Sequence, residues 1–394
     1  MFRHLFKLIW NKKKQNLLLI SEMLVSFLVI FAVFTLLVYD YDNYRKPMGI
    51  DYDNVWVVNY NNTFKTDNTD SLDQFYETLV QTIKSLPQID AISFSSENIP
   101  FSQTQNVGGI TLKNKRVGNI NWYVVDDNYQ KVLNMQILDG RWFNKGDAVA
   151  KDGPVVINAD LKEKIFGKGK AVGEFIEDVD NKTKALVIGV VKPVKMKGDF
   201  SNTEPAIYNR TDTGSYRWLS EILLKVKPGA DATFESQLYK ILANSMKNSN
   251  VEIEHLDNKL KTANYWYLVP MIVLLIVAGF LIVNVALGLF GVLWYNISRR
   301  RGEIGLRRAI GASGKSVSAQ LVGESMILAS FSLIIGSFFA IQFPLLNVFD
   351  LASGVYLTAM VLSVLFIYLL VLICSLYPGK QAASIYPAVA LHEE

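Results

Sequence analysis

Residues 268–295 run for 28 positions without a charged side chain. As an α-helix the run rises about 42 Å, more than the roughly 30 Å of a bilayer's hydrocarbon core. Nothing else in the chain constrains the fold as tightly. In hydrocarbon every backbone N–H and C=O must be satisfied within the segment, so such a run folds as a helix. The second span is read as residues 266–297, with any helix starting near Asp257 forming a stalk and Pro270 marking a kink or restart. Residues 17–39, 320–346 and 355–377 are three more apolar runs of spanning length. The first is too long for a secretory signal and lacks a small-residue cleavage site, so it reads as an uncleaved anchor. Half the chain is hydrophobic and 19% is charged, which suits a helical anchor carrying a water-soluble domain.

Charge sets the expected topology. Residues 1–16 hold Arg3, Lys7, Lys12, Lys13 and Lys14 and no acid, and Phe2, Leu5, Phe6, Ile9 and Trp10 recur at helical spacing. This predicts an amphipathic helix lying in the membrane interface. Basic residues crowd again after the second span, whereas Asp40, Asp42, Asp51 and Asp53 follow the first. The positive-inside rule then places the N-terminus, residues 299–316 and the tail 378–394 in the cytoplasm, and residues 41–262 outside.

Residues 41–262 are polar and long enough for one large or two small domains. Residues 55–94 and 221–256 each read strand–helix–strand, with Phe75, Leu79 and Ile83 on one helix face and Phe234, Leu238 and Leu242 on the other. They are expected to pair as an α+β lobe (residues 50–99 and 217–256), with residues 100–216 inserted as a mainly β lobe. The fold class is therefore an α-helical membrane protein with four transmembrane helices and a two-lobed α+β extracytoplasmic domain. No catalytic, cofactor or metal site suggests itself: three histidines and one cysteine offer no metal spacing and no internal disulfide. Asp126 and Asp127 read as a cap for the helix after them. Ser332, Gly336 and Ala340 make a small-residue stripe for close span packing, and Asn284 is expected to face another helix.

Residues 299–316 hold six basic side chains and one acid, Glu303, between two spans. Residues 309–316, AIGASGKS, fit a loose phosphate-binding pattern. That loop needs a buried strand before it and room for a sheet, and the arginine-rich stretch and the nearby spans provide neither. The segment reads instead as a short helix exposed to the cytoplasm, in which Ile304, Leu306 and Ile310 supply apolar contacts, Glu303 and the arginines pair, and Gly311 permits the turn back.

The run Arg301-Gly302-Glu303-Ile304-Gly305-Leu306-Arg307-Arg308-Ala309-Ile310-Gly311-Ala312-Ser313 resembles the signature of FtsX-like and MacB-like ABC transporter permeases after their second span. Asn284, Gly140-Arg141-Trp142-Phe143, the stretch Pro154-Val155-Val156-Ile157-Asn158 and the tail from Tyr377-Pro378-Gly379 to Leu391 resemble other parts of that family. The resemblance implies a non-catalytic permease of the bacterial inner membrane. It implies a homodimer or heterodimer working with a separate ABC ATPase that holds the ATP and Mg. A periplasmic adaptor or envelope protein is a further implied partner, and nucleic acid is not. Arg301, Glu303, Ile304, Leu306, Arg307, Arg308 and Gly311 would couple to the ATPase. ATP-driven motion would reach the outer domain to export or extract a substrate. The alternative is a sensor or regulator that moves no cargo. A secondary transporter is disfavoured by the scarcity of charge within the spans.

Overall fold

The computed structural model describes residues 13–60, 69–112, 115–150, 153–178, 183–211, 219–246 and 249–384. The expected interfacial helix at residues 1–16 lies almost entirely outside them. In chain order the first elements are α1 (Lys13–Arg45), β1 (Val55–Tyr60), α2 (Thr69–Lys84), β2 (Ile89–Ser95), β3 (Val107–Leu112), β4 (Lys115–Val125), α3 (Tyr129–Leu133), β5 (Ile137–Gly140), β6 (Gly153–Asn158), α4 (Ala159–Phe166) and β7 (Phe175–Asp178). Then come β8 (Lys184–Val191), β9 (Ala206–Arg210), β10 (Glu221–Val226), α5 (Ala232–Ser245), β11 (Val251–His255), α6 (Leu256–Arg299), α7 (Arg301–Ala309), α8 (Gly314–Ala340), α9 (Gln342–Leu345) and α10 (Ser353–Ala383). The chain divides into a helical unit, residues 1–42 and 268–394, and a globular unit, Asn43–Tyr267.

In the globular unit the two strand–helix–strand segments share one antiparallel sheet in the order β11-β1-β10-β2. This is the split βαβ arrangement. Strand period decides why β1 reads as a continuous apolar run. Trp56, Val58 and Tyr60 face α2 and α5, where Tyr76, Leu79, Ile83, Phe234 and Leu238 close a core. Val55 and Val57 face the opposite way, into a second core with Tyr123, Trp142 and Tyr208.

The inserted lobe is a closed ring of six strands, β4-β3-β7-β8-β6-β9, sealed by parallel pairing of β9 with β4. Ile110, Ile120, Val155, Ile176 and Ile207 from the ring pack with Leu161 and Ile165 of α4. Trp142 and Phe143 are buried in the core that joins the lobes, beside a bidentate pair between Arg141 and Asp147. The two aspartates expected to cap α3 do other work. Asn128 is the N-cap, while Asp126 accepts from Ser93 Oγ (2.6 Å) and Phe94 N (3.0 Å) as well as Asn128 N, joining α3 to β2. Asp127 grips the Arg210 guanidinium of β9 with both oxygens.

In the helical unit α1, α6, α8 and α10 are long and apolar enough to cross a membrane. Several expected boundaries move. Pro270 neither ends nor restarts α6, which is one element of 44 residues. The helix that carries the third apolar run begins at Gly314, six residues before residue 320, and the helix expected over 299–316 is confined to Arg301–Ala309. The fourth does not stop at Tyr377. It continues through Pro378 to Ala383, because proline removes one hydrogen bond while Gly379 packs closely on Ser318 of α8.

Asn158 tests the assembly of the ring lobe. Its Oδ1 accepts from Leu161 N and Ala206 N (both 3.0 Å), and its Nδ2 donates to Glu204 O (2.7 Å). Asn158→Ala removes a helix cap worth about 1 kcal/mol. It also orphans buried backbone groups at roughly 1–3 kcal/mol. Chemical unfolding followed by tryptophan fluorescence should show a loss of about 2–4 kcal/mol, and a loss below the cap value alone would refute the bridging role.

Candidate coupling site

The segment between α6 and α8 is built around a single-residue break. α6 ends at Arg299, Arg300 leaves the helical region (φ −105°, ψ 15°), and α7 starts at Arg301. Gly311 (φ +101°) turns the chain after α7, in a backbone region that costs a residue with a Cβ more than it costs glycine. Ser313 then caps α8, its Oγ accepting from Ser316 N. The P-loop-like residues 309–316 thus follow a helix directly, with no strand before them.

A closed polar ring fixes α7 to α8. Glu303 pairs with Arg307 (2.6 Å) and with Arg300 (3.4 Å). Arg300 also grips Glu324 (2.9 Å), and Arg307 donates to Gln320 Oε1 (2.7 Å). Gln320 Nε2 donates to Glu324 Oε1 (3.1 Å), which completes the circuit. Arg300 and Glu324 have only 14% and 19% of their side chains exposed, so this half of the ring is poorly screened by solvent. Beneath the ring Ile304 is buried against Ile297, Val317, Leu321 and Ala382. Burying such a side chain contributes about 1.5–3 kcal/mol.

The predicted coupling residues therefore separate into two sets. Ile304 faces inward, and Glu303 and Arg307 are engaged in the ring. Leu306 and Ile310 are 52% and 77% exposed. With Gly302 and Ala309, also exposed, they form an outward stripe at helical spacing, and Arg301 is exposed beside it. Arg308 turns toward Gly314, where a Cβ would lie 2.7 Å from its guanidinium. Arg300, Gln320 and Glu324 were not among the predicted residues. Glu324, a charge within an apolar run, is the signal that would have found them.

The small-residue stripe on α8 meets α1. Ser332 is fully buried and donates to Ile20 O (3.1 Å), and Ala340 is buried. Gly336 lies under the ring of Phe27, where a Cβ would come within 2.4 Å of Phe27 Cδ1. Asn284, expected to face another helix, is exposed among the described residues and donates to Phe280 O of its own helix (2.8 Å). Its amide satisfies itself one turn back, which a polar residue in an apolar helix can do without a neighbour.

The family described as MacB-like periplasmic core domain matches residues 23–240, and that described as FtsX-like permease C-terminal matches residues 262–387. The macrolide export ATP-binding/permease protein MacB of Salmonella paratyphi A is 26% identical over 297 residues, covering 71% of this chain and 45% of that protein. The chain thus spans about half the length of the MacB relatives it matches. The ABC transporter permease YvrN of Bacillus subtilis is 23% identical over 340 residues, covering 81% of this chain and 79% of that protein. Among solved structures, the periplasmic region of MacB from Actinobacillus actinomycetemcomitans is similar at a TM-score of 0.39 and 18% identity, over 55% of this chain and 94% of that one.

Two substitutions check these contacts. Glu324→Ala strands the largely buried Arg300 and should raise amide exchange across α7 roughly tenfold, equivalent to about 1.4 kcal/mol, with exchange in α10 unchanged. Unchanged exchange in α7 would show that the ring does not hold the helix. Gly336→Ala should lower the melting temperature of the full chain in detergent. Adding Phe27→Ala should recover part of that loss, because the two sites share one contact. Strict additivity of the two substitutions would contradict the contact.

Proposed function

Because the chain belongs to the family of MacB-like, FtsX-like ABC transporter permeases, we propose that it is a non-catalytic membrane subunit that passes ATP-driven motion from a separate ATPase to its extracytoplasmic domain. ATP and Mg belong to the ATPase in this reading. The permease works as a pair, of two copies or of this chain with a related one, and the moving outer domains export or extract a substrate.

The outward stripe of α7 is the observation that carries the reading. Gly302, Leu306, Ala309 and Ile310 present an exposed apolar strip on a helix that is otherwise bound down by the polar ring and by Ile304. A strip of this kind suits a protein partner, and its rigid mount suits the transfer of force. The positive-inside rule puts it in the cytoplasm, with both termini, where an ATPase would meet it. A push on α7 reaches α6 through one residue, Arg300. α6 in turn follows β11 without an intervening residue, so the push is delivered to the sheet.

The test is co-purification of the full chain from its native membrane, with the partner identified by its nucleotide-binding motifs. Leu306→Glu combined with Ile310→Glu should cut the bound ATPase by roughly tenfold or more, since charges replace apolar contacts at the centre of an interface. Membrane insertion and melting temperature should not change. Full retention of the ATPase would remove α7 as the docking element. Glu303→Lys breaks two links of the ring and should leave insertion and pairing intact while uncoupling hydrolysis from function. Normal coupling in that variant would count against force transfer through α7.

A further inference from the structure

The six-stranded ring is packed at one end and hollow at the other. β6 leads through Asn158 into α4, and Leu161 and Ile165 fill that end. At the opposite end β6 and β8 begin and β7 and β9 finish, and a cavity of about 610 Å³ lies among them. Its floor is apolar, made by Ile110, Trp122, Val155, Ile176 and Ile207. The two-residue strand period turns these side chains into the ring. Two small residues leave the interior unfilled here. Gly153 and Ala185 stand opposite each other on β6 and β8, and a Cβ added at Gly153 would meet nothing within 4 Å.

The chemistry of the walls limits what fits. Trp122 Nε1 is buried and has no hydrogen-bond partner among the described residues. An orphaned buried donor costs about 1–3 kcal/mol, which an acceptor within its reach would offset. Asn209, on the neighbouring strand β9, adds an amide that can both donate and accept. The charged side chains of the rim balance, with Asp147 and Asp178 against Lys184 and Arg210. Asp147 is already held by Arg141, and Arg210 by Asp127. The rim therefore offers no net charge to an ion. An apolar hollow of this size with a few polar groups has the build of a small-ligand site.

We propose that the hollow end of the ring binds an uncharged, peptide-like ligand: an apolar side chain joined to an amide, with the side chain on the floor of Ile110, Ile176 and Ile207 and the amide toward Trp122 and Asn209. The side chain gains by leaving water, and the amide meets groups that match its own donor and acceptor. Every residue of the site lies in the globular unit, so binding does not depend on the docking of an ATPase at α7 and is measured without one.

The experiment uses the full chain in lipid nanodiscs, labelled with 5-fluorotryptophan and observed by fluorine NMR. Trp122→Phe identifies the Trp122 resonance among those of the seven tryptophans. The probe is N-acetylphenylalaninamide, which is uncharged and carries a phenyl ring between two amides. It should shift the Trp122 resonance saturably at millimolar concentration, whereas N-acetylglycinamide, which lacks the ring, should not. Gly153→Leu and Ala185→Leu put bulk into the hollow and should each weaken the probe roughly tenfold or more, because burial of the phenyl ring is lost. Gly153→Ala should bind as the parent does. Thermal melting reports which variants are folded, and if Gly153→Leu is not, Ala185→Leu decides. No saturable shift in the parent, an equal shift with N-acetylglycinamide, or undiminished binding in a folded leucine variant would overturn the site.

Discussion

The rest of the structure depends on the continuity of α6. Its 44 residues rise about 66 Å, roughly twice what a bilayer core requires. Its first turns are part of the globular unit: Leu256 and Leu260 are buried in the core that also holds Trp142 and Tyr208. No linker separates it from β11, and one residue separates it from α7. A helix satisfies its backbone internally, so it keeps its length under load in a way that a loop does not. In the proposed reading, displacement at one end would be available at the other. Pro270 costs one hydrogen bond in this element and does not divide it.

At the other end, the polar ring is what would pass a displacement into α6 in the proposed reading. A short helix of nine residues joined through a single non-helical residue would swing freely if nothing else held it. Arg300 sits at that break and is the residue that binds both Glu303 and Glu324. A guanidinium has donors enough to serve both, whereas an ammonium offers no planar fork. Because Arg300 and Glu324 are largely covered, losing either leaves a poorly solvated charge, so the ring is more than a set of surface pairs. It also leaves the opposite face of α7, with Leu306 and Ile310, free of contacts that a partner would have to displace.

Much of this was legible in the sequence, for reasons that particular residues make clear. Length and the scarcity of charge identified the four apolar helices, and 3.6-residue and 2-residue periods identified both strand–helix–strand segments. The ring lobe was legible only as mainly β, since its closure depends on β4 pairing with β9 across some eighty residues, and no local pattern encodes that. Pairing of Glu303 with the arginines was legible, but closure of the ring through Gln320 and Glu324 was not, because these residues lie on two helices whose relative angle the sequence does not state. Pro270 and Asn284 show how much a helix can absorb. Pro270 was read as a kink or restart and lies inside one helix, and Asn284 was read as facing another helix and bonds a carbonyl of its own.

The most direct test of force reception at α7 is photo-crosslinking in native membranes from a benzophenone amino acid placed at Leu306, with Lys380 at the end of α10 as the control position. A docked motor predicts a Leu306 adduct whose partner, sequenced by mass spectrometry, carries ABC nucleotide-binding motifs, with a yield that changes when ATP is trapped. Adducts from Leu306 to lipid or to this chain alone, in membranes where the ATPase is present, would contradict docking at α7 and with it the route through Arg300 to the outer domain.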